Sequence, residues 1–304
     1  MDPKYTVAIC THNRAARLGR TLQDLSKLHT PRQPWELLLV DNASRDATPE
    51  VLAAFTWPAG WHVRVVREEK LGLSNARNRA IAEARGEYII FIDDDETVEP
   101  GWLIAFESLI TSTTPDAFGG RIAVMFEDLR PRWLTDELLG FLGELARFPD
   151  VHPLDEPSTS FYGGNFGFRR SIIEKIGNFS PDLGRKGGDN TGGEEVEFYR
   201  RALKAGLSIW WTPYAVIHHR IQAAKLKPAY FRDLHFKQGR MEASRELDNR
   251  RRIPPLYLFG QLARSVLTLL RMTLEKGASS TVRQQMNVWY FAGRIIAHLS
   301  GPRA

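Results

Sequence analysis

Cysteine is nearly absent: Cys10 stands alone among 304 residues, inside an apolar segment, so no internal disulfide can form. The opening MDPKYTVAIC also lacks the basic-then-apolar leader of an exported chain, and the expected location is the reducing cytoplasm. No G-x-G-x-x-G follows the first apolar run and no G-x-x-x-x-G-K-[ST] occurs anywhere, which leaves dinucleotide redox chemistry and Walker-type ATPase chemistry without support. Neither a Ser/His/Asp nor a Cys/His arrangement for covalent catalysis is present. The most apolar helical stretch, residues 254–276, holds Arg264 and Arg271 and makes a poor membrane span. RNP-like and helix-turn-helix signatures are missing too, so nucleic acid is not an expected partner.

What is present is an ordinary globular composition, 43% hydrophobic and 25% charged, long enough for one large α/β domain or two small ones. The net charge of +5 hides an asymmetry. Residues 220–304 carry 16 Lys/Arg against 5 Asp/Glu, or +11, which leaves −6 for residues 1–219. The division expected from charge is therefore an acidic body, 1–219, followed by a basic helical tail, 220–304. In 254–276, polar residues recur every three or four positions and leucines fill the wide remaining face. Such a helix either packs on the body or lies on an anionic membrane, a peripheral contact through 254–304 at the inner face of the cytoplasmic membrane.

Apolar runs at 5–10, 36–40, 63–66 and 88–92, each followed by helical spacing, predict four β–α repeats and a Rossmann-like, mostly parallel sheet flanked by helices. Ligands bind such sheets at the carboxyl ends of the strands. The polar residues fall there: Thr11, Asn13 and Arg14 after the first strand, Asp41 after the second, Asn75, Arg77 and Asn78 in the third helix, and Asp93, Asp94 and Asp95 after the fourth strand. If the strand stays extended, Asp93 and Asp95 project to one side and Asp94 to the other. Two converging carboxylates repel unless a cation sits between them, and hard oxygen ligands suit Mg²⁺ or Mn²⁺. A solvated acidic turn is the alternative. Further on, a strand is expected over 161–168, whose glycines would admit a ligand or backbone, and another over 208–211 that Pro213 breaks. A Gly-rich stretch, 180–193, opens onto Glu194 and Glu195 at a helix start, where simple capping competes with catalysis.

Six segments in order, YTVAICTHNR, LLLVDNASRDAT, GLSNARNRAI, GEYIIFIDDDE, YGGNFGFRRSIIEKIGNF and GGEEVEFYRRALKAG, resemble the family-2 glycosyltransferases over residues 5–219. The resemblance implies a GT-A fold over 1–219 with a nucleotide-binding half (1–100) and an acceptor-side half (101–219), a nucleotide-sugar donor, a hydroxyl-bearing saccharide or lipid-linked acceptor, and inversion at the anomeric carbon. It places Thr11, Asn13 and Arg14 in the nucleotide pocket, Asp41 on the N3–H of uracil or thymine in a UDP- or dTDP-sugar, and Arg77 near the base or diphosphate. Asp93 would reach ribose or metal and Asp95 the metal, with Asp94 beside them. Gly164 and Asn165 would border the donor sugar, and His218 or else His219 is a candidate third ligand to Mn²⁺ or Mg²⁺. The family's Glu-Asp pair is Glu194-Glu195 here, so the general base falls on Glu195, with Glu194 as runner-up. A sugar-nucleotide nucleotidyltransferase is the rival enzyme, though it usually opens on a Gly-rich loop that THNRAAR lacks. A catalytically silent GT-A-like binding subunit is the rival outside enzymology.

Overall fold

The computed structural model describes residues 2–161, 163–184, 193–246 and 253–300. Tyr5–Thr11 (β1) leads to Ala15–Leu25 (α1), whose Leu18, Leu22 and Leu25 are buried at helical spacing. Trp35–Asn42 (β2), Thr48–Ala54 (α2), Val63–Glu68 (β3) and Leu73–Glu83 (α3) repeat the unit. Tyr88–Asp93 (β4) is buried from Tyr88 to Ile92 because both its faces are covered. A two-residue turn at Asp94–Asp95 then returns the chain as Glu96–Val98 (β5).

Trp102–Thr113 (α4) and Ala117–Phe126 (β6) follow, then a 3₁₀ helix at Asp136–Leu142. Gly143, at φ +93, ends it. His152–Pro153 (β7), Phe166–Arg169 (β8), Ile172–Ile176 (α5), Glu194–Lys204 (α6) and Ile209–Ile221 (β9) complete this part. β8 starts five residues later than expected. β9, contrary to the expected break, runs through Pro213: β7 pairs with Trp210 and Trp211, and β5 with Ile217, His218 and His219. Pro213 lies between those two sets of partners.

Among the described residues the strands form one sheet, ordered β3-β2-β1-β4-β8-β6-β9-β5 with β7 on β9. β3, β2, β1 and β4 are parallel; β8 runs antiparallel to both β4 and β6. The sheet is thus mixed rather than mostly parallel. Register sets the site: Thr11 lies opposite Asp41, and Cys10 opposite Asp93, at the carboxyl ends of adjacent strands. Beneath lies an aromatic cluster in which Phe91 stacks on Phe166 at 5.3 Å and Phe179 on Phe198 at 4.6 Å. Each fully buried Phe is worth roughly 1.5–3 kcal/mol of transfer free energy, so this cluster is a stiff floor.

Two compact units result: residues 1–125 with 143–220, and residues 126–142 with 221–304. The second takes in part of the segment expected on the acceptor side. It comprises Pro228–Glu246 (α7), Leu256–Lys276 (α8) and Val282–Ser300 (α9). Trp133 meets Phe231 edge-on at 5.5 Å and Phe141 meets His235 at 4.8 Å, which ties 126–142 to α7. α7 and α9 approach so closely that a Cβ on Gly239 would lie 2.1 Å from the Tyr290 carbonyl oxygen.

Candidate active site

Two adjoining cavities open at the carboxyl ends of the parallel strands. The larger, about 520 Å³, is lined by Cys10 to Arg14, Asn42, Leu71, Leu73, Ala76 and Asp93 to Asp95. That volume suits a nucleotide-sized ligand. The smaller, about 170 Å³, is lined by Leu73, Arg77, Asp93, Asp95, Glu96, Ile122, Gly143, Gly163, Gly164, Glu194, Glu195 and His219. Asp93 and Asp95 belong to both.

The turn after β4 sorts the three aspartates. Asp94 is buried, accepts from Thr11 Oγ1 at 2.7 Å and lies 3.3 Å from Arg14 Nε, while Thr21 Oγ1 donates to its carbonyl. Burial pushes its carboxyl up to about 7 against the pull of Arg14. Asp93 and Asp95 stay partly exposed, and Arg14 Nη2 stands 3.8 Å from Asp95. The two thus face the same cavity although the strand ends at Asp93; the turn, not continued alternation, brings them there. Thr11 lines the large cavity but its hydroxyl is spent on Asp94. Asn13, at φ +51, accepts from the Arg45 N–H and leaves its amide nitrogen near His12.

Arg77 is placed otherwise than expected. Its side chain is only 2% exposed and donates to Glu194 Oε1 at 2.9 Å and to the Gly163 carbonyl at 2.9 Å, 3.5 Å from Asp93. Its guanidinium lies 5.4 to 5.8 Å from the ring centres of Phe166, Phe179 and Phe91. Buried as it is, it borders the small cavity with Asp93 and Glu194 and does not line the large one. Asp41 is likewise engaged: Arg67 pairs with one oxygen, the Ser44 N–H donates to the other at 3.1 Å, and Asn42 rather than Asp41 lines the cavity.

The glycines at 163 and 164 line the small cavity and make room there for neighbouring side chains. A Cβ on Gly163 would lie 2.5 Å from Arg77 Nη2, and one on Gly164 would lie 1.9 Å from Glu96 Oε1. Glu96 is a carboxylate that sequence reading missed. It is buried, accepts from the Asp93 N–H at 2.9 Å, and burial holds its carboxyl well above the usual range. Asn165 has no exposure: it accepts from Trp102 Nε1 and donates to the Arg121 and Ala215 carbonyls, all at 2.8 Å, so it frames the site rather than touching a sugar. Asn165→Ala should cost about 2–4 kcal/mol, because an indole N–H and two carbonyls lose their partner; urea denaturation measures it.

α6 presents Glu194 and Glu195 at its start. α3 fixes the approach, because Asn78 exchanges two 2.9 Å hydrogen bonds with the Phe179 backbone and Ser74 Oγ donates to the Leu183 carbonyl. Residues 185–192 of the expected Gly-rich loop lie outside the described residues. Glu194 is buried, with Oε1 on Arg77 and Oε2 without a hydrogen bond among the described residues. Glu195 is half-buried and lines the small cavity; burial, then the neighbouring Glu194, raise its carboxyl to about 7 while Arg77 lowers it. Of the histidines, His218 points to Glu99 Oε1 at 3.2 Å, and His219, 4.0 Å from Asp95, lines the cavity. Period-2 alternation with the buried Ala215 and Ile217 would have chosen His219 over His218.

Among the described residues no three His, Cys, Asp or Glu side chains already form a metal-binding set. The donor chemistry nonetheless fits a hard divalent cation: two accessible carboxylates share a cavity, and such ions commonly take the rest of their ligands from phosphates and water.

The model of the family described as glycosyl transferase family 2 matches residues 6–177. The chain belongs to that family. It is accordingly a glycosyltransferase. It is 24% identical over 235 residues to the succinoglycan biosynthesis protein ExoM of Rhizobium meliloti, covering 77% of this chain and 72% of that one. It is 25% identical over 225 residues to the glucosyl-dolichyl phosphate glucuronosyltransferase of Haloferax volcanii, covering 72% and 69%. In fold it is similar to the mannosyltransferase PcManGT of Pyrobaculum calidifontis, solved with GDP-Man and Mn²⁺, at TM-score 0.62 and 18% identity over 97% of this chain and 88% of that one. It is also similar to residues 1–349 of S. aureus TarS, solved with UDP-GlcNAc, at TM-score 0.55 and 14% identity over 96% and 90%. These are GT-A transferases, and this chain has the GT-A fold with a helical C-terminal region.

Proposed function

We propose that this glycosyltransferase is inverting and metal-dependent, moving a sugar from a UDP- or dTDP-sugar to the hydroxyl of a saccharide or lipid-linked acceptor in polysaccharide or glycolipid synthesis. The observation that carries this reading is the convergence of Asp93, Asp95 and Glu195 on one cavity beside the nucleotide-sized one. Glu195, raised to about 7, takes the proton from the acceptor hydroxyl as that oxygen attacks C1, and the bond to the diphosphate oxygen breaks. Arg14, lining the larger cavity, offsets negative charge on the donor. A divalent cation, Mn²⁺ or Mg²⁺, would be held by Asp93 and Asp95 and, when bound, would neutralise charge on the leaving diphosphate. No covalent intermediate is required, and displacement in one step inverts the anomeric carbon. The GDP-Man and UDP-GlcNAc complexes of the structural relatives support a nucleotide-sugar donor, and the Mn²⁺ beside GDP-Man supports the cation. A lipid-linked acceptor would be met at the cytoplasmic face of a membrane, where residues 254–304 would make a peripheral contact.

The test is a screen of UDP-, dTDP- and GDP-sugars for Mn²⁺-dependent thermal stabilisation and transfer. Asp95→Asn should weaken Mn²⁺-dependent donor binding at least tenfold more than Asp94→Asn, because Asp95 faces the cavity and Asp94 is already bonded to Thr11 and Arg14. Calorimetric titration giving the opposite order would remove Asp95 from the cation site.

A further inference from the structure

α8 has two unlike faces. Leu258 and Ser265 are buried, and Gln284 of α9 donates to the Ser265 carbonyl at 3.0 Å, so this side packs within its own unit. On the opposite side Leu256, Phe259, Ala263, Val266, Leu267, Leu270 and Leu274 are all exposed, Leu256 and Leu274 by 86% and 89%. At 100° per residue these seven fall within an arc of about 100°, and at 1.5 Å per residue they run roughly 28 Å. Arg264 and Arg271 border one edge of the stripe. Water-soluble chains rarely leave so continuous a row of leucines uncovered without a partner.

We propose that this stripe is seated in the headgroup region of an anionic phospholipid surface, with α8 lying in the membrane plane. The proposal rests on the peripheral contact put forward above and assigns it to one helix face and one lipid class. No described helix is long and apolar enough to cross a membrane, which leaves α8 the in-plane orientation. Charge selects the occupant. Residues 220–304 carry +11, the sequence places Arg250, Arg251 and Arg252 just before the helix, and its own arginines stand where headgroup phosphates would lie. A second copy docked on the same stripe would instead bring two such basic segments together and be repelled.

The full-length protein is floated with vesicles of phosphatidylcholine alone and with about one-third phosphatidylglycerol, and its mass is followed by light scattering. The native chain should bind the anionic vesicles and let go as salt screens the attraction. The double variant L267E/L270E should bind them on the order of 10²-fold less, since two leucine side chains no longer leave water. R264E/R271E should lose most of the preference for anionic over neutral vesicles. Both variants should melt like the native chain and keep donor-induced stabilisation. If L267E/L270E floats as well as native, the membrane contact is elsewhere and this assignment falls, while the peripheral reading stands. If the native chain ignores both vesicles, both fall. A native dimer that L267E/L270E turns into a monomer, without vesicle binding, would make the stripe a contact between copies and overturn the proposal.

Discussion

Arg77→Met should destabilise the protein by about 3–5 kcal/mol, the cost of removing one partner from a buried ion pair. Arg77 and Glu194 are each 2–3% exposed at the side chain, and Glu194 Oε2 has no hydrogen bond among the described residues. With the guanidinium gone, Glu194 is left as an uncompensated buried carboxylate. Three phenyl rings also lose the cation they surround. Methionine refills much of the volume, so a cavity does not explain the loss. The double variant R77M/E194Q separates the two causes: with the charge removed from both sides, most of the lost stability should return. Urea midpoints of the four proteins measure this. Additive losses would show that the pair is not coupled and that packing alone sets the cost.

The same pair explains what could be read in the sequence and what could not. The four β–α repeats were legible because each strand holds an apolar run and the first helix repeats Leu18, Leu22 and Leu25 at helical spacing. The strand ends, and hence the places of Thr11 to Arg14 and Asp93 to Asp95, were legible for the same reason, whereas Glu195, at the start of α6, was singled out by the resemblance alone. Periodicity says nothing about which polar side chain bonds which. Arg77 therefore reads as a donor-binding cation, whereas the fold encloses it with Glu194, 117 residues away. Asp41 reads as free and is taken by Arg67, 26 residues on. Gly163 and Gly164 read as room for a ligand or backbone, and the fold uses that room to admit the side chains of Arg77 and Glu96. Glu96 escaped notice because the turn at Asp94–Asp95 is invisible to an alternation rule that assumes the strand goes on. The stretch 126–142 escaped assignment to the helical unit for a related reason: its ties to α7 are two aromatic contacts, Trp133 to Phe231 and Phe141 to His235, about a hundred residues apart in sequence.

Glu195→Gln should lower transfer by a factor on the order of 10²–10⁴ while donor and cation affinity stay near native, the signature of a lost general base. The substitution keeps the side-chain volume and removes only the charge. Glu194→Gln should act differently. Successive residues at a helix start point about 100° apart, and Glu194 faces Arg77 rather than an acceptor, so its loss should register first in stability. The pH profile gives a second reading. A base works deprotonated, and burial with the neighbouring Glu194 holds the Glu195 carboxyl near 7, so native kcat should rise with pH through a midpoint at or below about 7. It lies lower to the extent that a cation at Asp93 and Asp95 favours the charged form. In Glu195→Gln that limb should vanish and the residual rate stay flat across it. Two outcomes would remove the role. Native transfer rates in both variants would make the Glu-Glu pair a helix cap, and loss of donor binding in Glu195→Gln would place this carboxylate in the ground-state complex. If Glu194→Gln alone were inactive yet stably folded, the base would sit one residue earlier and the limb should disappear there instead.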